Sequence, residues 1–129
     1  AEHFGGSDAE GRWSVRDAYA ALELAQVLLL HGAASLTGEM PTDLAGRAFD
    51  RLEAQLPRQT NRSDEQIEWQ QFATPPRLAW IAARACALSA GDQVLEPSAG
   101  TGMLAVWAVK AGARLVLNEI RPFAASVFK

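Results

Sequence analysis

The chain has 129 residues, 49% hydrophobic and 21% charged, an ordinary globular composition that excludes a disordered tail, a collagen-like repeat and a small disulfide scaffold. A formal charge of -3 supplies no overall basic field for nucleic acid, yet ten of the twelve cations are arginine, which keeps local phosphate contacts open. The single cysteine, Cys86, rules out an internal disulfide, and with no secretory signature in the chain a reducing cytoplasm is the expected compartment.

Ala1 to Arg12 is poor in large apolar residues and carries Gly5, Gly6 and Gly11, so an irregular arm is expected, anchored by Phe4 and Trp13. Ser14 and Asp17 approximate a capping box, and Val15, Ala18, Tyr19, Leu22, Ala25 and Leu29 recur at helical spacing. A first helix over Val15 to His31 follows, with Gly32 as its stop. His31 reads as a helix-end histidine without a partner carboxylate. Thr42 is expected to cap a second helix built on Leu44, Ala45, Ala48, Phe49, Leu52 and Leu56 and ended by Pro57. The polar run from Arg58 to Asp64 reads as a loop whose arginines are solvated, and Ser63 with Gln66 opens a short third helix through Trp69.

Thr74 precedes a proline suited to a first helical turn, and Leu78, Ile81, Ala82, Ala85 and Leu88 form the expected buried stripe of a fourth helix. Cys86 beside that stripe reads as a small buried hydrophobe, and Trp69, Trp80 and Trp107 as core residues. Beyond Gln93 the period changes: Val94 and Leu95 form a strand, Thr101 to Ala111 a helix apolar nearly all round, and Leu115 to Leu117 a second strand. A parallel βαβ unit is the economical reading, because parallel strands need a crossover. Arg121, Pro122 and Phe123 open a further helix. No apolar stretch approaches the roughly 20 residues of a membrane span, so no membrane partner is expected, and no Cys and His cluster suits zinc. The chain opens on Ala1 and ends at Lys129 within an apolar segment, which reads as a piece of a longer protein.

The turn after the first strand, Leu95-Glu96-Pro97-Ser98-Ala99-Gly100-Thr101-Gly102, places an acid at the strand end and glycines before the helix. Glycine lets backbone approach a ligand closely, and a helix N-terminus would offer free N–H groups to an anionic group. Glu119, 19 residues past Gly100, ends the second strand at the crevice where a carboxylate can accept hydrogen bonds from ribose hydroxyls. Gly100 to Ala105 also fits the dinucleotide pattern with Ala in the last place, and it equally describes a tight turn that needs glycine. Glu96 separates the ligands, since an acid there repels a pyrophosphate but complements the ammonium of a methionine moiety.

These residues resemble the class I S-adenosylmethionine-dependent methyltransferases, specifically the branch that methylates adenine N6 in DNA. Gln71-Phe72-Ala73-Thr74-Pro75-Pro76 is similar to the motif upstream of that core, Glu96 to Gly102 to its first core motif, and Asn118-Glu119-Ile120 to its second. The resemblance covers about Gln71 to Pro122. The arm and helical region read above over residues 1–70 precede it, and over 71–129 the resemblance implies the first β-α-β of a truncated Rossmann-like methyltransferase sheet, an α/β fold. It further implies Phe72, Ala73 and Thr74 as a lid at the methionine end, and Glu96, Pro97 and Ser98 around the amino acid. Gly100 and Gly102 would be close backbone, with Glu119 on the ribose and Ile120 beside the adenine. Phe72 also reads as a core aromatic, and Thr74 as a simple helix cap. Ser98 stands where the commonest pattern of the superfamily has glycine. Gly11-Arg12-Trp13-Ser14-Val15-Arg16-Asp17-Ala18-Tyr19 more loosely resembles the start of bacterial or mobile-element proteins that fuse a methylase to a strawberry-notch-type helicase.

That branch reacts through an Asp, Asn or Ser followed by two prolines and an aromatic, against which the flipped base stacks. No such tetrapeptide occurs here, and Arg77 follows Pro75-Pro76, so no catalytic residue is assigned and the chain alone is expected to be inactive. DNA is the partner expected of the intact parent. The strand order of the family implies that Gln93 to Glu96 is a central strand with one edge uncovered and that the apolar helix from Thr101 to Ala111 loses much of its packing surface, so self-association is expected. The alternative reading is a non-catalytic helical interaction module of a larger fusion protein.

Overall fold

The computed structural model describes Gly6 and residues 8–55 and 73–120. The expected third helix, Phe4, Leu56, Pro57, Trp69, Phe72 and the helix opened by Arg121 lie outside the described residues. A 3-10 turn over Asp8–Glu10 interrupts the arm, and the Trp13 indole Nε1 donates to the Gly6 carbonyl at 3.0 Å. Helix α1 spans Val15–Gly32 and starts as its capping box dictates. The Ser14 amide donates to Asp17 Oδ2 at 2.7 Å, while the Asp17 amide donates to Ser14 Oγ at 3.3 Å. Gly32 proves to be the last helical residue rather than a left-handed stop. Ala33 leaves the helix in extended backbone, its N–H still bonded to the Leu29 carbonyl.

Helix α2 spans Thr42–Glu53, with Pro41 in the capping position and no side-chain cap. Thr42 is therefore the first helical residue and not the cap expected of it, because Pro41 already sets the extended backbone before the turn. The neighbouring Asp43 carboxyl is held below its ordinary pKa, first by the Leu44 backbone amide and then by Arg47, whose guanidinium stands 3.1 Å away. Helix α3 spans Pro76–Ala85, with Pro75 before it and Pro76 in its first turn. Thr74 thus lies one residue upstream of the capping position.

The buried face of α3 is not the expected stripe. Pro76, Ala79 and Trp80 point inward and Ala83 packs beside them, whereas Leu78 and Ile81 are 55% and 48% exposed. Trp80 decides the rotation: its ring meets Phe49 of α2 at 5.8 Å, and its indole N–H bonds the Thr37 carbonyl at 3.1 Å. Cys86 follows the helix in an exposed position, a correction to its expected burial. It sits just past the C-terminal turn, on the same outward side as Ala82 and Ala85.

Strand β1 (Gln93–Glu96), helix α4 (Ala105–Lys110) and strand β2 (Arg114–Leu117) form the βαβ unit. The strands pair in parallel with Val94 opposite Leu115 and Glu96 opposite Leu117. The fold is thus a mixed helical one with a two-stranded parallel sheet. Helix α4 starts at Ala105 rather than Thr101, because Gly102, at φ 93, holds a backbone no right-handed helix contains. Among the described residues one hydrophobic cluster joins α1 to α4: Val27 and Leu30 of α1, Phe49 of α2, Trp80 of α3, and Val106 and Trp107 of α4. Phe49 meets the Trp107 ring edge-on at 6.1 Å. The expectation that α4 loses its packing surface is not met, since Val106, Trp107 and Ala108 are buried.

Lys110 ties the βαβ unit to α1. Its ammonium donates to the Leu30 and Ala33 carbonyls, each at 2.9 Å, and lies 3.4 Å from that of His31. A cation at a helix C-terminus satisfies carbonyls that the helix cannot pair and complements its dipole. No helix among the described residues is long and apolar enough to cross a membrane.

Candidate functional site

The glycine-containing loop leaves the C-terminal end of β1 and is knitted to the end of β2. Pro97 lacks an N–H and so cannot extend the strand ladder. Glu96, the last residue of β1, instead folds its own carboxylate onto the loop. Its Oε1 accepts the Ser98 amide at 3.0 Å and the Ser98 hydroxyl at 3.3 Å. The Asn118 amide donates to the Glu96 carbonyl and the Ala99 amide to the Asn118 carbonyl, both at 2.9 Å. The Asn118 side-chain amide reaches the Pro97 carbonyl, also at 2.9 Å.

Gly100 then turns the chain with φ 52, and its amide donates to Glu119 Oε2 at 2.7 Å. A Cβ added at Gly100 would meet nothing nearer than the Ser98 carbonyl at 4.0 Å. The left-handed backbone, not crowding, selects glycine there, and the space beside it is open. The Gly102 amide closes the turn onto the Ala99 carbonyl at 2.8 Å, and the Val106 amide returns to Gly102 at 2.9 Å.

The structure therefore gathers Glu96, Pro97, Ser98, Gly100 and Glu119 at one end of the sheet, with Gly102 in the turn behind them. Ile120 lies just beyond Glu119 with its side chain 68% exposed. Ala73 is exposed and Thr74 half-buried ahead of α3, and among the described residues no hydrogen bond joins either to the loop. Phe72 lies outside the described residues. The expected free N–H groups of a helix N-terminus are not at this loop, because α4 begins three residues after Gly102. What meets a ligand here is carboxylate and open backbone. Sequence reasoning gives Asn118 no role. A side-chain amide directly before the acid that follows a strand is the signal that marks it.

Glu96 is the last residue of β1, whereas Glu119 does not end β2 as expected but lies two residues past Leu117; the two half-buried carboxylates suit donors rather than anions. Each has one oxygen held by loop donors: Glu96 through Ser98, Glu119 through Gly100. A carboxylate can accept about four hydrogen bonds, so the two bonds from Ser98 orient Glu96 without exhausting it. For Glu96 both bonds fall on Oε1, which leaves Oε2 for a ligand. Carboxylates of this kind pair chemically with amines and hydroxyls. A pyrophosphate would face two negative groups. A separate shallow cleft of about 120 Å³, lined by Thr37, Glu39, Ala83, Trp107 and Lys110, lies at the other end of α4 and holds none of these residues. No protein family, curated protein or solved structure matches this chain.

Proposed function

We propose that this chain is the cofactor-binding N-terminal part of an S-adenosylmethionine-dependent methyltransferase directed at adenine N6 in DNA. The observation that carries the reading is the pair Glu96, the last residue of β1, and Glu119, two residues past β2, each hydrogen-bonded to the backbone of one glycine-containing loop. S-adenosylmethionine, when bound, supplies an electrophilic methyl group. Glu96 Oε2 receives its ammonium, Glu119 accepts from its ribose hydroxyls, and the open backbone at Gly100 admits the ligand between them. A Rossmann-like completion of the sheet, adenine as the target and DNA as the partner rest on the motif resemblance at Glu96 to Gly102 and Asn118 to Ile120. The base-facing tetrapeptide of that branch does not occur in this sequence. A reducing cytoplasm suits an exposed free thiol such as Cys86.

A second reading, a helical interaction module, has its own support in α1, where Val15, Leu28 and Leu29 are each more than half exposed. Isothermal titration of the protein with S-adenosylmethionine separates the two. Saturable binding that is lost in Glu96→Ala and Glu119→Ala supports the methyltransferase reading, and absence of binding by the folded wild-type protein removes it.

A further inference from the structure

We infer that Asn118 is a positioning residue that sets the orientation of the Glu96 carboxylate toward the amino acid end of the cofactor. The inference rests on the methyltransferase reading and adds to it a residue with no assigned role. It follows from one peptide unit. The Pro97 carbonyl and the Ser98 N–H are the two ends of a single planar amide. The carbonyl end accepts from Asn118 Nδ2 at 2.9 Å, and the N–H end donates to Glu96 Oε1 at 3.0 Å. That peptide plane is therefore clamped between the Asn118 side chain and the Glu96 carboxylate.

A carbonyl oxygen can only accept, so the nitrogen of the Asn118 amide must face it. The clamp keeps Glu96 Oε1 on the loop, and both bonds from Ser98 fall on that oxygen. The two other Asn118 bonds to this loop, from its N–H to Glu96 and to its carbonyl from Ala99, are made by the main chain. They survive any change of side chain. Only the bond to Pro97 depends on residue identity, and Asn118 is exposed, so its replacement leaves the core untouched.

The test is titration calorimetry on wild type, Asn118→Leu and Asn118→Ala with two probes: S-adenosylmethionine, and 5′-methylthioadenosine, which keeps the ribose but lacks the ammonium and carboxylate. A net neutral hydrogen bond corresponds to roughly a threefold to tenfold change in affinity. Both variants should lose S-adenosylmethionine affinity by about that factor and keep wild-type affinity for 5′-methylthioadenosine. Amide hydrogen exchange without ligand should show the Ser98 N–H less protected in both. Wild-type protein that binds neither probe overturns the methyltransferase reading itself. Wild type that binds S-adenosylmethionine with variants that bind it equally well overturns the role of Asn118 alone. Equal loss of both probes shows general loop disruption and also overturns it.

Discussion

The Gly100 amide and the Glu119 carboxylate meet at 2.7 Å across 19 residues of sequence, which fixes the acid, two residues past β2, against the turn that follows β1. Because a backbone amide holds it, Glu119 presents its carboxylate in one orientation before any ligand arrives. Preorganisation of that kind lowers the cost of binding.

Glu119→Ala should therefore weaken S-adenosylmethionine binding roughly tenfold or more, the effect of losing a charged hydrogen bond of about 1.5 to 3 kcal/mol. Isothermal titration reads it directly. Unchanged affinity in a folded Glu119→Ala variant removes the ribose assignment.

No methyl transfer is expected from this chain, because the polar residue, paired prolines and aromatic that would hold a flipped adenine are absent from the sequence. Transfer of labelled methyl groups to adenine-containing DNA is the assay. Turnover above a no-enzyme control, with contaminating methylases excluded, would mean that a base can be held and methylated without that tetrapeptide.

Local signals were legible in the sequence and distant ones were not. The Ser14 and Asp17 box and the order of strand, helix and strand after Gln93 involve neighbours in the chain and are found as expected, although the helix starts at Ala105 and not at Thr101. Helix α3 carries two stripes at helical spacing, Leu78 with Ile81, Ala82 and Ala85, and Pro76 with Ala79, Trp80 and Ala83. Which one turns inward is settled by Phe49 and the Thr37 carbonyl, far away in sequence. The acids Glu96 and Glu119 announced themselves by position. Their orientation did not, because it depends on φ at Gly100 and on the reach of Asn118. The lid expected of Ala73 and Thr74 depends on tertiary placement, which no local pattern encodes.

Lys110 gives a stability prediction. Its ammonium serves carbonyls at the end of α1, so Lys110→Ala should cost about 1 to 2 kcal/mol and lower Tm by roughly 4 to 10 °C. Lys110→Gln, which keeps a donor without the charge, should fall between the two. Differential scanning calorimetry at fixed protein concentration measures both, and a Tm for Lys110→Ala equal to wild type would refute the capping role.

Glu23 of α1 predicts a pH dependence. Burial raises its pKa from the ordinary 4.5 to about 7. Between those values the folded chain holds a proton that the unfolded chain releases, so stability from this group is fully present below about pH 4.5 and declines as pH rises through 7. Glu23→Gln removes the ionisation. Its Tm should exceed that of wild type at pH 8 and converge on it near pH 4.5, and parallel Tm curves for the two proteins across that range would contradict the assignment.

Self-association should follow from the sheet. Among the described residues β1 pairs with β2 alone, so its other edge leaves N–H and C=O groups without ladder partners. On the sheet face turned away from α4, Leu95 and Val116 are cross-strand neighbours, 67% and 62% exposed. Parallel sheets are normally covered on both faces, and a flat apolar edge pairs with other chains. Since α4 is well packed, the sheet alone drives association, and antiparallel pairing of two β1 edges about a twofold axis satisfies the edge and covers apolar surface together. Light scattering after gel filtration should show mass rising above 13.9 kDa as concentration increases. Val116→Lys, which places a charge on the open face, should shift the protein toward monomer. A species near 13.9 kDa at every concentration, unchanged by Val116→Lys, would show that the edge stays unpaired in solution.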